Sequence, residues 1–105
     1  MQIGIDIVYI PEFVKKLDKA GGSEMVFTDS ELAYAKSKET LAGIFASKEA
    51  FMKALGRKVD WKDVWVEHED SGKPFLATTL LDKNKKMNIS ISHDGDYSTA
   101  IVVIE

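Results

Sequence analysis

An α+β domain, with early helices packed on a mainly antiparallel sheet, is the architecture the sequence predicts. Three observations carry it: a strictly alternating first segment, helical periodicity concentrated before Gly56, and two hairpin-like pairs of strand runs after it. The chain has 105 residues, 45% of them hydrophobic, so one domain spanning residues 1–105 is expected. A core of that size is modest, and an oligomeric contact would add to its burial.

Met1, Ile3, Ile5, Ile7 and Tyr9 alternate with Gln2, Gly4 and Asp6, the period of a strand with one buried face. Pro11 suits the first turn of a helix that runs to about Lys19, sharing Phe13, Val14 and Leu17 on one face and ending at Gly21-Gly22. Thr28-Asp29-Ser30-Glu31 reads as a capping box that opens a short helix through Leu32 and Tyr34. A longer helix is predicted from about Thr40 to Leu55, with Gly56 as its left-handed cap. Strand runs at Val64 to Glu69 and Pro74 to Thr78 flank a turn at Asp70-Ser71-Gly72. Runs at Asn88 to His93 and Ser98 to Ile104 flank Asp94-Gly95-Asp96. Between the hairpins, Thr79 to Lys86 fits either a short helix or an irregular connection.

Several function classes are excluded at this level. The absence of cysteine removes disulfides, thiolate metal sites and cysteine nucleophiles, and is compatible with a reducing compartment. Fourteen basic against 17 acidic residues, a net charge of −3, give little support to nucleic-acid binding as the main role, so no nucleic-acid partner is expected. Asp6 interrupts the N-terminal segment too early for a secretory leader, and no run is long enough for a membrane span. There is no Gly-x-Ser-x-Gly elbow and no glycine-rich phosphate loop, so any phosphate site must be built from side chains and scattered backbone donors. His68 and His93 lack zinc-site spacing; His68 reads as a partly buried strand residue, and His93 either caps its loop or donates to a phosphate.

The long helix carries an apolar stripe of Leu41, Ile44, Phe45, Phe51, Met52 and Leu55, and charged residues intrude on it. Lys48 projects into the stripe, Glu49 borders it, and Lys53 follows one turn later. One account has Lys48 snorkelling to water and Glu49 pairing with Lys53 on the surface. The other joins them to Asp6, a carboxylate in an apolar strand where Asp is depleted. If strand and helix pack together, Asp6 and Glu49 converge as two hard oxygen ligands, and Mg²⁺ typically takes one or two carboxylates plus substrate phosphates and water. Lys48 and Lys53 would then face the phosphates, an arrangement suited to phosphoryl chemistry.

Four blocks carry a family resemblance: Gly4-Ile5-Asp6-Ile7; Phe45-Ala46-Ser47-Lys48-Glu49-Ala50-Phe51 with Lys53-Ala54-Leu55-Gly56; Gly72-Lys73-Pro74; and Ser90-Ile91-Ser92-His93-Asp94. In this order, over nearly the whole length, the chain resembles the holo-[acyl-carrier-protein] synthases, the small bacterial 4′-phosphopantetheinyl transferases. The resemblance implies Mg²⁺-dependent transfer of 4′-phosphopantetheine from coenzyme A to a serine of apo acyl carrier protein, releasing adenosine 3′,5′-bisphosphate. It also implies a cytoplasmic homotrimer of fatty acid biosynthesis and lipid metabolism, with active sites between subunits. By motif position, Asp6 and Glu49 are the implied metal ligands, and Lys53 the implied catalytic lysine beside the pyrophosphate. Lys48, Lys53, Gly72, Lys73, Pro74, Ser92 and His93 are the implied substrate-binding set. Glu49 or a metal-bound water is left to take the serine proton. Two features depart from the family: Ile44 stands where an arginine is usual, and the first helix mixes Lys15, Lys16 and Lys19 with Glu12 and Asp18. The alternative reading is a coenzyme A-binding module of the same fold without transferase activity.

Overall fold

The computed structural model describes residues 1–19 and 21–105. In chain order the elements are β1 (Gln2–Tyr9), α1 (Ile10–Leu17), α2 (Gly22–Val26), α3 (Asp29–Tyr34), α4 (Lys38–Leu55), a 3₁₀ turn at Trp61–Asp63, β2 (Val64–His68), β3 (Pro74–Thr78), β4 (Met87–Asp94) and β5 (Tyr97–Ile104). The α+β class is as the sequence predicts. All strand pairs are antiparallel, in two sheets: β1-β5-β4, and the β2-β3 hairpin.

Local signals account for most boundaries. Thr28 accepts from the Glu31 amide while Glu31 returns a bond to the Thr28 amide, the reciprocal capping box that starts α3. Ser37 accepts from the Thr40 amide and so starts α4 at Lys38, two residues ahead of the predicted Thr40. Gly56, at φ +84°, ends α4. The first helix stops at Leu17 rather than about Lys19, and Gly22, expected only to terminate it, instead opens α2. The segment between the hairpins folds as turns and bends, with no helix.

β1 reverses the burial expected from its alternation. Its isoleucines point away from the rest of the chain, while Gly4 and Val8 are buried and Asp6 is partly covered. The cause is α4, which lies across the inner face of β1: a β-carbon on Gly4 would stand 2.0 Å from the Ala50 carbonyl oxygen, so only glycine admits the helix this close. α4 is also covered on its other flank, and so it buries far more than the predicted stripe, including Ala42, Ala46, Ser47, Lys48, Ala50 and Ala54. The core lies between α4, the inner face of the β1-β5-β4 sheet and the β2-β3 hairpin, with Phe27, Phe51, Val64 and Val102 fully buried.

Candidate active site

The packing of α4 on β1 brings together residues 40 or more positions apart. Asp6, on the inner face of β1, keeps 14% of its side chain exposed. Its backbone is pinned from β5 by the Thr99 hydroxyl, which donates to the Asp6 carbonyl at 2.7 Å. Lys53 reaches across from α4 and donates to Asp6 Oδ1 at 3.1 Å and to the Ile5 carbonyl at 3.0 Å. The expected surface pair of Glu49 with Lys53 is therefore replaced by a cross-element pair of Lys53 with Asp6. Glu49, one turn earlier on α4, lines the same cleft as Asp6, a cavity of about 580 Å³ between β1, α1, α2 and α4.

The charge of this cleft is lopsided. Asp6, Glu12 and Glu49 line it, with Lys16 the one basic lining residue among the described residues; Lys16 stands 3.9 Å from Glu12, both largely exposed. The rest of the lining is largely apolar, and in it Phe45 stacks on Trp61 at 5.1 Å and meets Phe13 at 5.1 Å. Among the described residues, no group of three or more His, Cys, Asp or Glu could hold a metal. Asp6 and Glu49 offer a pair of hard oxygen donors in one cleft. It fits Mg²⁺, which commonly takes one or two carboxylates and completes its shell with phosphate and water.

Lys48 corrects the reading that it faces substrate phosphates. Its side chain is fully buried, and its Nζ lies 2.8 Å from each of Glu31 Oε1, the Val26 carbonyl and the Trp61 carbonyl. An ammonium has three N–H bonds, and all three are used within this chain. Neither does it snorkel, because α2, α3 and the 3₁₀ turn cover that flank of α4. Burial pushes the Lys48 pKa down, the hydrogen bond and charge of Glu31 oppose this, and Lys62 adds to the lowering. Losing one partner of such a pair strands a buried charge, at a cost of about 3–5 kcal/mol. Glu31 was legible only as a cap; nothing in the sequence pairs it with Lys48.

The remaining predicted residues lie elsewhere in the chain. Gly72, at φ +91°, forms the tip of the β2-β3 hairpin with exposed Lys73, and Pro74 pairs with His68. Ser92 and His93 are exposed near the end of β4, His93 opposite Ser98, separated from β1 by the whole width of β5. None of these five lines the cleft of Asp6 and Glu49. His68 is half-buried and stacks on Tyr34, with centroids 3.6 Å apart and an 11° tilt. Phe45, read only as part of the apolar stripe, joins the cleft with Trp61 and Met25; apolar residues at core spacing carry no sign of which face lines a site. Among the described residues no helix is long and apolar enough to cross a membrane.

Residues 2–102 match the model of the 4′-phosphopantetheinyl transferase superfamily. A holo-[acyl-carrier-protein] synthase of Nautilia profundicola is 37% identical over 97% of this chain and 97% of that protein. Among solved structures, the Helicobacter pylori holo-[acyl-carrier-protein] synthase in complex with coenzyme A superposes with a TM-score of 0.86 at 29% identity, covering 98% of this chain and 99% of that one. The Bacillus anthracis holo-(acyl-carrier-protein) synthase in complex with CoA (3′,5′-ADP) gives 0.85 at 35% identity, covering 98% and 94%.

Proposed function

Because this chain belongs to the 4′-phosphopantetheinyl transferase superfamily, among its holo-[acyl-carrier-protein] synthases, we propose that it transfers 4′-phosphopantetheine from coenzyme A to a serine of apo acyl carrier protein in a Mg²⁺-dependent reaction. The observation that carries this reading is that Asp6 and Glu49 line one acidic cleft with an apolar wall, while Lys53 pairs with Asp6. In the reaction the serine Oγ forms a bond to the phosphorus that bears the pantetheine arm. The bond from that phosphorus to the bridging oxygen breaks, and adenosine 3′,5′-bisphosphate leaves.

Asp6 and Glu49 would hold the metal, which would supply positive charge against the diphosphate. Lys53 is already anchored over β1 by Asp6 and the Ile5 carbonyl, yet its side chain is 55% exposed, so it can turn its charge to the leaving phosphate. The apolar wall takes the pantetheine arm. Glu49 or a water molecule accepts the serine proton. Ile44, where the family usually has arginine, is buried in the core at 2% exposure, so that phosphate contact passes to other residues.

We also propose a homotrimer with active sites between subunits. Ile3, Ile5 and Ile7 are 62%, 62% and 66% exposed on the outer face of β1, beside Tyr9 and Tyr97, an apolar strip of the kind that marks an interface. Gly72, Lys73, Pro74, Ser92 and His93 lie outside the carboxylate cleft of their own chain, which supports a site they complete across protomers as coenzyme A ligands. The enzyme then serves fatty acid biosynthesis, and so lipid metabolism, in the cytoplasm. The test is mass spectrometry of apo acyl carrier protein incubated with the protein, coenzyme A and Mg²⁺. The expected result is addition of one phosphopantetheine, abolished by chelator. An unmodified carrier at saturating substrate defeats the proposal, and coenzyme A binding without transfer would leave only the binding module.

A further inference from the structure

Two short segments form part of the lining of the cleft that holds Asp6 and Glu49. α2 has five residues, no side-chain cap and no buried residue. The 3₁₀ turn has three residues, again with no side-chain cap and none buried. Val26, the last residue of α2, and Trp61, the first of the turn, both line the cleft. Each offers its backbone carbonyl to the same buried group, Lys48 Nζ, at 2.8 Å. The third bond of that ammonium goes to Glu31, which is itself fixed by the Thr28 amide at 2.9 Å and the Val66 amide at 2.8 Å. One side chain therefore ties two weakly anchored segments to α3, α4 and β2. It does so from the position next to Glu49, whose side chain lies in the cleft.

We propose that Lys48 is a positioning residue for the coenzyme A substrate: its ammonium holds the Val26 and Trp61 segments at the spacing from Glu49 that admits the pantetheine arm. This rests on the reading of the cleft as the transferase site. Lys48 touches no substrate. Its effect is transmitted through the two carbonyls, and it appears in substrate affinity ahead of the chemical step.

Lys48→Gln retains two N–H donors on a side chain one bond shorter, and Lys48→Met retains none. With both assayed below their melting temperatures, Lys48→Met should raise KM for coenzyme A about tenfold or more while kcat stays within about threefold, and Lys48→Gln should fall between it and wild type. A lowered melting temperature with KM within about twofold of wild type in both variants would assign Lys48 a merely structural role and overturn the proposal. Should neither variant fold, lysine-¹⁵N NMR of the wild type decides: a protected ammonium coupled to the Val26 and Trp61 carbonyls is expected, and a freely exchanging one refutes it. If the wild type neither binds coenzyme A nor transfers, it is the reading of the cleft that fails. Hydrogen exchange then judges the anchoring alone: residues 22–26 and 61–63 should exchange about tenfold faster in Lys48→Gln, and unchanged rates refute the proposal.

Discussion

Gly4→Ala tests the contact on which both fold and site depend. The added β-carbon would lie 2.0 Å from the Ala50 carbonyl oxygen and 2.6 Å from the Ala54 amide nitrogen, both backbone atoms of α4. Ordinary contact needs about 3.5 Å, so helix and strand must separate by roughly 1.5 Å, and no rotamer change can relieve it. Overpacking costs about 1–3 kcal/mol where side chains can adjust. Here the obstacle is backbone, which sets the expectation at about 3 kcal/mol, or a fall of roughly 12–24 °C in melting temperature for a chain of this size. The separation also draws Glu49 and Lys53 away from Asp6, and displacements near 1 Å cost about 10²-fold in rate. Differential scanning calorimetry and a carrier-modification assay read the two effects. Ala50→Gly in the same background should not rescue, because the clash is with the Ala50 carbonyl rather than its methyl group. Gly56→Ala is the control: at φ +84° with nothing within 4 Å it should lose only about 1–2 kcal/mol and keep its activity. A Gly4→Ala protein melting within about 2 °C of wild type with unchanged transfer would refute the packing argument.

Asp6→Asn and Glu49→Gln should each abolish transfer across a full Mg²⁺ titration while leaving the circular dichroism spectrum intact, since each removes a proposed metal ligand and no core volume; near-normal rates in both would remove these residues from the mechanism. Ile5→Lys with Ile7→Lys should convert the proposed trimer to monomer in sedimentation velocity, because each isoleucine is more than half exposed in the single chain and burying such a side chain contributes about 1.5–3 kcal/mol; an unchanged sedimentation coefficient counts against that face. Burial holds the His68 pKa below its ordinary 6.5, so the native state binds fewer protons than the unfolded chain between the two values. Its stability contribution is complete above 6.5, is lost as pH falls toward the lowered value, and is level below it; His68→Gln should therefore lose less melting temperature than wild type between pH 7.5 and 5.

Much of this molecule is legible before folding. The Thr28 to Glu31 capping box, the Gly56 cap, both hairpins and the class of the fold follow from local rules, because each depends on backbone groups within a few residues of the signal. The candidate site was legible only in part. A carboxylate in an apolar strand and a charged run in an apolar helix are anomalies whatever the tertiary arrangement, and Asp6, Glu49 and Lys53 do share a region of the fold.

What each anomaly faces was not legible. Alternation in β1 establishes a strand with two unlike faces, yet period alone cannot say which face meets this chain's own helix, and the isoleucine face is the one left open while Gly4 meets α4. Lys48 and Glu49 are neighbours in sequence with about 100° between them on the helix, so one enters the interior and the other the cleft. Sequence determined that these charges need partners, because an unpaired charge in an apolar surrounding is costly. Only the tertiary structure decided which partner each received, because Val26, Glu31 and Trp61 reach Lys48 from separate segments brought over α4 by burial, a force that carries no direction of its own.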